Sequence, residues 1–387
     1  MPVAAIALLV GAIAVGPVAA ADGAGGSPPA VEHAMAREVF GWFLPGSSTY
    51  MLNVVDWDVL STAAFFAVDT RADGTLVKTK PSGAPTREWQ AWTSDWMGQV
   101  LDKAQAHGAK VVLTVQRFGW DAAGREATIA LLSNPDAIAR LATEIAEAVD
   151  SRGADGVNID LEPIHAGYED GFVDLLAAVR AALDERTPGL QLTFDSTADD
   201  DFLAFPVAEA VTEGGADAVV VMGYDLNRSS SARAGSTAPM GGAAYSVPDA
   251  IADHLALAPK EKIILAFPNY GRMWPTRTDE LHSLTRRRHE RFGYPSAVRM
   301  ATADTLAATY GRLWDSEQLS AWTMWRGRGC PSCRISWWQL YYDDPESLAI
   351  KYDFVNEQDL LGVGMWRLGS GWDRPGYWDL LASKFAD

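Results

Sequence analysis

Eight short apolar runs rich in β-branched residues, at 39–44, 61–68, 110–115, 156–162, 190–195, 218–224, 262–267 and 362–368, alternate with helix-like stretches along this chain. A strand followed by a helix returns to the sheet in parallel, because the crossover consumes the helix. Eight such units in 387 residues predict an α/β chain folded as a closed (β/α)8 TIM barrel. An open doubly wound sheet is the alternative, and no G-x-G-x-x-G follows the first run to favour its dinucleotide-binding form. The helices carry their own boundaries. Ser94 can cap a helix that runs to Ala106 and stops at Gly108. Asn134-Pro135 opens one that Gly153 closes, and Ser246 with Pro248 and Asp344-Pro345 open two more.

The rhythm breaks over residues 273–342, which predicts an insertion between strand seven and the final βα unit. Its run Thr285-Arg286-Arg287-Arg288 reads as a solvated helix face. Its indoles, Trp322, Trp325, Trp337 and Trp338, either line one wall of a groove or form the insertion's own small core. Both cysteines of the chain, Cys330 and Cys333, also fall here.

The formal net charge of -18 repels phosphate backbones and anionic lipid heads, which excludes nucleic acid as an expected partner. A neutral polysaccharide suffers no such repulsion. The 15 tryptophans supply flat apolar faces, either for core packing or for pyranose rings. Residues 1–21, uncharged from Val3 and closing in Ala19-Ala20-Ala21, read as a signal peptide or N-terminal anchor. Residues 22–36 read as a flexible lead-in and 37–387 as the barrel. The expected location is therefore secreted or attached to the cell envelope. In that compartment the Cys330/Cys333 spacing favours a local disulfide over free thiols or half of a metal site.

The chemistry concentrates in Asp155-Gly156-Val157-Asn158-Ile159-Asp160-Leu161-Glu162. Strand side chains alternate, so Val157, Ile159 and Leu161 form an apolar face for the surrounding helices. Asn158, Asp160 and Glu162 then point into the barrel, where polar groups are costly unless they bond each other or a ligand. Glu162 stands at the C-terminal end, where barrel enzymes place their sites. Two carboxyls two positions apart resist carrying full charge together, so one holds a proton near neutral pH, as a general acid requires. On the last strand Gly362, Gly364 and Trp366 share a face, leaving room for an indole in the barrel mouth. Tyr224 closes the apolar sixth run at the same mouth.

These motifs resemble glycoside hydrolase family 18. Asp155, Asp160 and Glu162 match its D-G-x-D-x-D-x-E signature, while Asn158 stands where an Asp is common. Met222-Gly223-Tyr224-Asp225, Phe267-Pro268-Asn269-Tyr270-Gly271-Arg272, Gly362-Val363-Gly364-Met365-Trp366 and the opening Phe40-Gly41-Trp42 are similar to further strand-end motifs of the family. Gln116-Arg117-Phe118-Gly119 departs from the family's Ser-x-Gly-Gly. The resemblance implies substrate-assisted, retaining hydrolysis of a β-1,4-linked N-acetylglucosamine polymer, chitin or peptidoglycan glycan. Glu162 would be acid and base, Asp160 would orient the 2-acetamido group, and Tyr224 would bond its oxygen with Asp225 supporting. Asp155 and Asn158 would set the charge of Asp160 from below, and Trp366 with Trp42 would form the sugar-binding floor. No metal, organic cofactor or protein partner is implied. The stretch from Tyr341 to Lys351 looks most like the cell-wall and spore-lytic branch. A non-catalytic lectin of the same fold is the competing expectation.

Overall fold

The computed structural model describes residues 35–198, 206–370 and 375–386. The expected export segment and nearly all of the lead-in lie outside the described residues. Eight parallel strands close a barrel: β1 (Glu38–Phe43), β2 (Thr62–Asp69), β3 (Lys110–Phe118), β4 (Gly156–Glu162), β5 (Gln191–Thr197), β6 (Ala218–Met222), β7 (Ile263–Pro268) and β13 (Gly362–Trp366). They follow sequence order round the ring, and β13 seals it between β7 and β1. Each of the eight strands coincides with an expected run to within a few residues.

Alternation explains why these segments are strands. Val157, Ile159 and Leu161 of β4, Leu192 and Phe194 of β5, and Val219 and Val221 of β6 lie in one large buried cluster with the helices outside the barrel. Phe40, Trp42, Ala64, Val112, Val220, Ile264 and Ala266 form a separate cluster inside it. Each fully buried large aliphatic contributes about 1.5–3 kcal/mol, so slipping a strand by one residue would forfeit several such contributions at once. The register fixes the mouth: Phe118 of β3 lies beside Glu162, and Asn158 beside Thr193 of β5. Gly156 starts β4 with φ +150°, and a Cβ there would stand 2.0 Å from the Gln191 carbonyl oxygen, so only glycine lets the two strands meet.

The helices begin where their caps predict. The Ser94 hydroxyl accepts from the Met97 amide ahead of Asp95–Ala106, and the Asn134 side chain accepts from the amides of Asp136 and Ala137 ahead of Pro135–Asp150. In the latter helix Ile138, Leu141, Ala142, Ile145 and Val149 fall on one buried face. No helix among the described residues is long and apolar enough to cross a membrane.

The insertion is an antiparallel sheet of five strands: β8 (Tyr270–Thr276), β9 (Ser296–Arg299), β10 (Leu313–Asp315), β11 (Ser320–Arg328) and β12 (Ile335–Tyr342), ordered β10-β11-β12-β8-β9. It begins at Tyr270, three residues ahead of the expected boundary, because β8 leaves β7 after the single residue Asn269. The indoles pack the sheet itself. Trp322 stacks on Tyr341 at 5.7 Å and Trp325 on Trp338 at 6.0 Å, and none of the four lines the barrel mouth. The arginine run is not a helix. Thr285 is buried and bridges to Thr276, while the Arg286 guanidinium sits 4.6 Å from the Phe292 ring. Cys330 and Cys333 are joined by a disulfide in the turn between β11 and β12.

Candidate active site

The strand ends enclose a cavity of about 390 Å³ at the C-terminal mouth of the barrel. β4 delivers Asp160 and Glu162 to it, β5 delivers Asp195, and the turn after β6 delivers Tyr224, Asp225 and Arg228. Trp42 and Trp366 form its floor with Phe66. Trp366 meets Phe66 edge-on at 4.5 Å and Trp42 at 5.7 Å, so its indole plane is fixed from two sides. Two aromatic side chains of the third strand and its turn, Phe118 and Trp120, stand exposed on the rim, Phe118 at a position where the family motif has a glycine.

The electrostatics come from crowding three acids under this mouth. Burial, then the charges of Glu162 and Asp195, hold the Asp160 carboxyl well above the usual aspartate range. Its hydrogen bond with Glu162 needs a proton between the two carboxyls, and burial with the nearby Asp225 raises Glu162 as well. Burial also lifts Asp195 well above its ordinary value, with Glu162 adding to the effect and the Asn158 hydrogen bond opposing it. Oδ1 of Asp160 and Oδ1 of Asp195 are buried with no hydrogen-bond partner among the described residues. An unsatisfied buried acceptor costs about 1–3 kcal/mol, so both are suited to a donor that a ligand brings.

The structure relates the expected residues differently from the sequence. Asn158 is fully buried under the cavity. Its amide donates to Asp195 Oδ2 at 2.9 Å, and its oxygen accepts from the Thr193 hydroxyl at 2.7 Å. Asp195 was missing from the expected site, although Gln191, Thr193 and Asp195 alternate with Leu192 and Phe194 just as Asn158, Asp160 and Glu162 alternate with their apolar neighbours. Asp155 requires a correction. It shares the outward face of Val157 and lies at the far end of the strand, where its carboxylate accepts the Val111 amide at 2.8 Å. It braces the base of the barrel and does not reach Asp160.

Tyr224 is half-buried in the cavity. Burial, Tyr270 and the surrounding acids keep its phenol protonated far beyond neutral pH. Asp225, with φ +58°, turns its carboxylate to Arg272 Nη2 at 2.6 Å and to the Tyr270 hydroxyl, both supplied by β8. Trp42 is 1 % exposed, so its part in the floor is mainly to brace Trp366, which it meets edge-on.

The profile described as "Glycosyl hydrolases family 18" matches residues 59–371, spanning the barrel from just before β2 past β13. The chain belongs to glycoside hydrolase family 18. Within this family-18 frame, the candidate sporulation-specific glycosylase YdhD of Bacillus subtilis (strain 168) is 26% identical over 261 residues, 66% of this chain. The chain spans 56% of the length of that relative. Among solved structures, the spore cortex-lytic enzyme SleL of Bacillus megaterium QM B1551 superposes with a TM-score of 0.70 at 18% identity, over 90% of this chain and 74% of that one. A family-18 chitinase from Cycas revoluta in complex with (GlcNAc)3 gives 0.72 at 18%, over 90% and 99%. A family-18 N-acetylglucosaminidase from Paenibacillus barengoltzii gives 0.67 at 20%, over 90% and 99%. At these identities the likenesses establish a shared fold.

Proposed function

We propose that the chain is a retaining glycoside hydrolase that cleaves β-1,4-linked N-acetylglucosamine polymers with help from the substrate's own 2-acetamido group. The observation that carries this reading is the pairing of the buried Asp160 and Glu162 carboxyls, both raised above their usual range, at a mouth floored by Trp366. A two-carboxylate retaining mechanism needs a nucleophile roughly 5–5.5 Å from the acid, across the sugar. Asp160 stands beside Glu162 on β4, and Asp195 is held by Asn158 on the neighbouring strand, so both acids cluster beside Glu162, which supports a nucleophile drawn from the substrate.

Glu162 gives its proton to the glycosidic oxygen as the C1–O bond breaks. The acetamido oxygen closes on C1 to form an oxazolinium ion. The Asp160 carboxylate accepts the acetamido N–H and balances the positive charge, and the Tyr224 hydroxyl donates to the acetamido oxygen. Glu162, now ionised, takes a proton from water, which opens the ring on the face that the leaving group left. Asn158 and Asp195 hold Asp160 in a field that favours its sharing a proton, and Arg272 with Tyr270 fixes Asp225 beside Tyr224. The apolar run that starts at Val3 supports action outside the cytoplasm, on envelope or environmental glycan.

Release of a chromophore from chitobiose and chitotriose glycosides tests the reading. Removing a general acid should lower kcat about 10²–10⁴-fold in Glu162→Gln. Oligomer binding by an inert wild type, unchanged in Glu162→Gln, would replace the hydrolase with a lectin.

A further inference from the structure

A second cavity of about 330 Å³ adjoins the first, and Asp225 and Trp366 line both. We propose that this second cavity is a carboxylate-binding subsite that selects a glycan bearing acidic substituents over neutral chitin. The inference rests on the glycosidase reading and specifies its substrate.

The charge on this cavity runs against that of the whole chain. The protein carries a net charge of -18, yet the charged lining here is Arg272, Arg299 and Arg367 against Asp225 alone, three guanidiniums to one carboxylate. Asp225 is already taken by Arg272 and Tyr270. The guanidiniums of Arg299 and Arg367 have no hydrogen bond or ion pair among the described residues. They are close enough for the charge of Arg299, after burial, to weaken the hold of Arg367 on its proton. Arg299 is exposed and water screens its charge in the open cavity, yet an anion that displaces that water meets two guanidiniums, each matched to a carboxylate by two parallel hydrogen bonds.

Both arginines stand next to the sheets: Arg299 ends β9, and Arg367 is one residue past β13. Arg299 pairs with Tyr270 across β8 and β9, and Arg367 follows Trp366 directly, its carbonyl accepting the Asn269 amide at 3.0 Å. A glycan lying over Trp366 would therefore place one ring over Glu162 and an adjacent substituent among the arginines, with the Ser370 position beside them. Neutral chitin offers only hydroxyls and acetamides there. A glycan of alternating N-acetylglucosamine and N-acetylmuramic acid offers a carboxylate on the lactyl ether or, when that is amidated, on a peptide stem.

The test compares wild type, Arg299→Ala, Arg367→Ala and the double variant on three substrates: chitotetraose, glycan strands stripped of peptide, and strands with stems intact. The double variant should lose at least about tenfold in kcat/KM on a carboxylate-bearing strand, the order expected for a lost charge-assisted contact. Chitotetraose should change less than about twofold, which also shows that the variant is folded, and the loss should shrink as salt is raised toward about 0.5 M. Loss on stripped strands alone assigns the lactyl carboxylate, and loss on intact strands alone assigns the stem. Equal loss on all three substrates, or undiminished cleavage of both charged strands, overturns the subsite. If wild type cleaves none of the three, the glycosidase reading fails. Calorimetric binding of stripped strands to wild type and the double variant then decides the subsite separately, and equal affinity refutes it.

Discussion

Asn158 carries an amide where the family signature commonly has a carboxyl, and exchanging it with Asp195 measures how the barrel floor manages charge. In the native protein an amide donates to a carboxylate at 2.9 Å. Asn158→Asp replaces the donor with a second acid at the same separation. Were both ionised, their repulsion at an effective dielectric constant of 20 would be about 6 kcal/mol at that 2.9 Å spacing. Keeping one protonated at pH 7 costs about 4 kcal/mol relative to an ordinary aspartate. The smaller cost wins, so the pair retains a proton that the unfolded chain gives up above about pH 4. The folded-state affinity for that proton is raised. Stability is therefore intact at and below about pH 4 and falls as pH rises, by up to about 1.4 kcal/mol per unit and about 4 kcal/mol by pH 7. Asn158→Asp combined with Asp195→Asn restores one amide and one acid with the roles reversed, and should recover most of that loss. Denaturant unfolding of the four proteins at pH 5 and pH 7.5 reads this directly. An Asn158→Asp loss that is equal at both pH values, or a double variant as unstable as the single one, would refute the charge argument and leave a steric cause.

Asp195→Asn alone removes a negative neighbour that raises Asp160, so the alkaline limb of the kcat/KM profile should move to lower pH, and the double exchange should move it back. Trp366→Ala, made in the Glu162→Gln background, should weaken chitotriose binding about tenfold in calorimetry through loss of the stacking face; unchanged affinity would exclude that face. Lys351, fully buried, donates to the buried Asp343 carboxylate, so Lys351→Met should cost about 3–5 kcal/mol in denaturant unfolding, and pairing it with Asp343→Leu should recover most of it. Gly156→Ala should cost about 3 kcal/mol or more, since its methyl would stand 2.0 Å from a backbone oxygen; a neutral outcome would place the β4–β5 contact elsewhere.

The parts of this molecule that were legible in sequence are those governed by period. Alternation located all eight barrel strands and pointed Asp160 and Glu162 into the cavity, because a strand with one greasy face has only one way to sit. The same alternation was available in Gln191, Thr193 and Asp195, but without a motif to draw attention it went unread. Tyr270 and Arg272 stood in a strand-end motif with no role attached, and Arg299 and Arg367 were beyond such reasoning. They meet only through the pairing of β8 with β9 and the return of the chain at β13, a separation of nearly one hundred residues that no local pattern encodes. Asp155 misled for the opposite reason: proximity in a motif stood in for direction, although its odd position already placed it on the helix side. The arginine run failed as a helix because its first residue, Thr285, bridges Thr276 of β8 and the preceding Leu284 bridges Arg233.

The five-stranded sheet is entered from the barrel through one residue, Asn269, and its first strand reaches back with Tyr270 and Arg272 to clamp Asp225. An attachment that short leaves little slack, so the sheet behaves as an extension of β7 and not as a separate module on a hinge. Residues on β9, which carries Arg299, can thus be exchanged to retune what lies alongside the mouth while Tyr270 and Arg272 of β8 keep their hold on Asp225. Excising the sheet, by contrast, would release Asp225 and untether the mouth it serves.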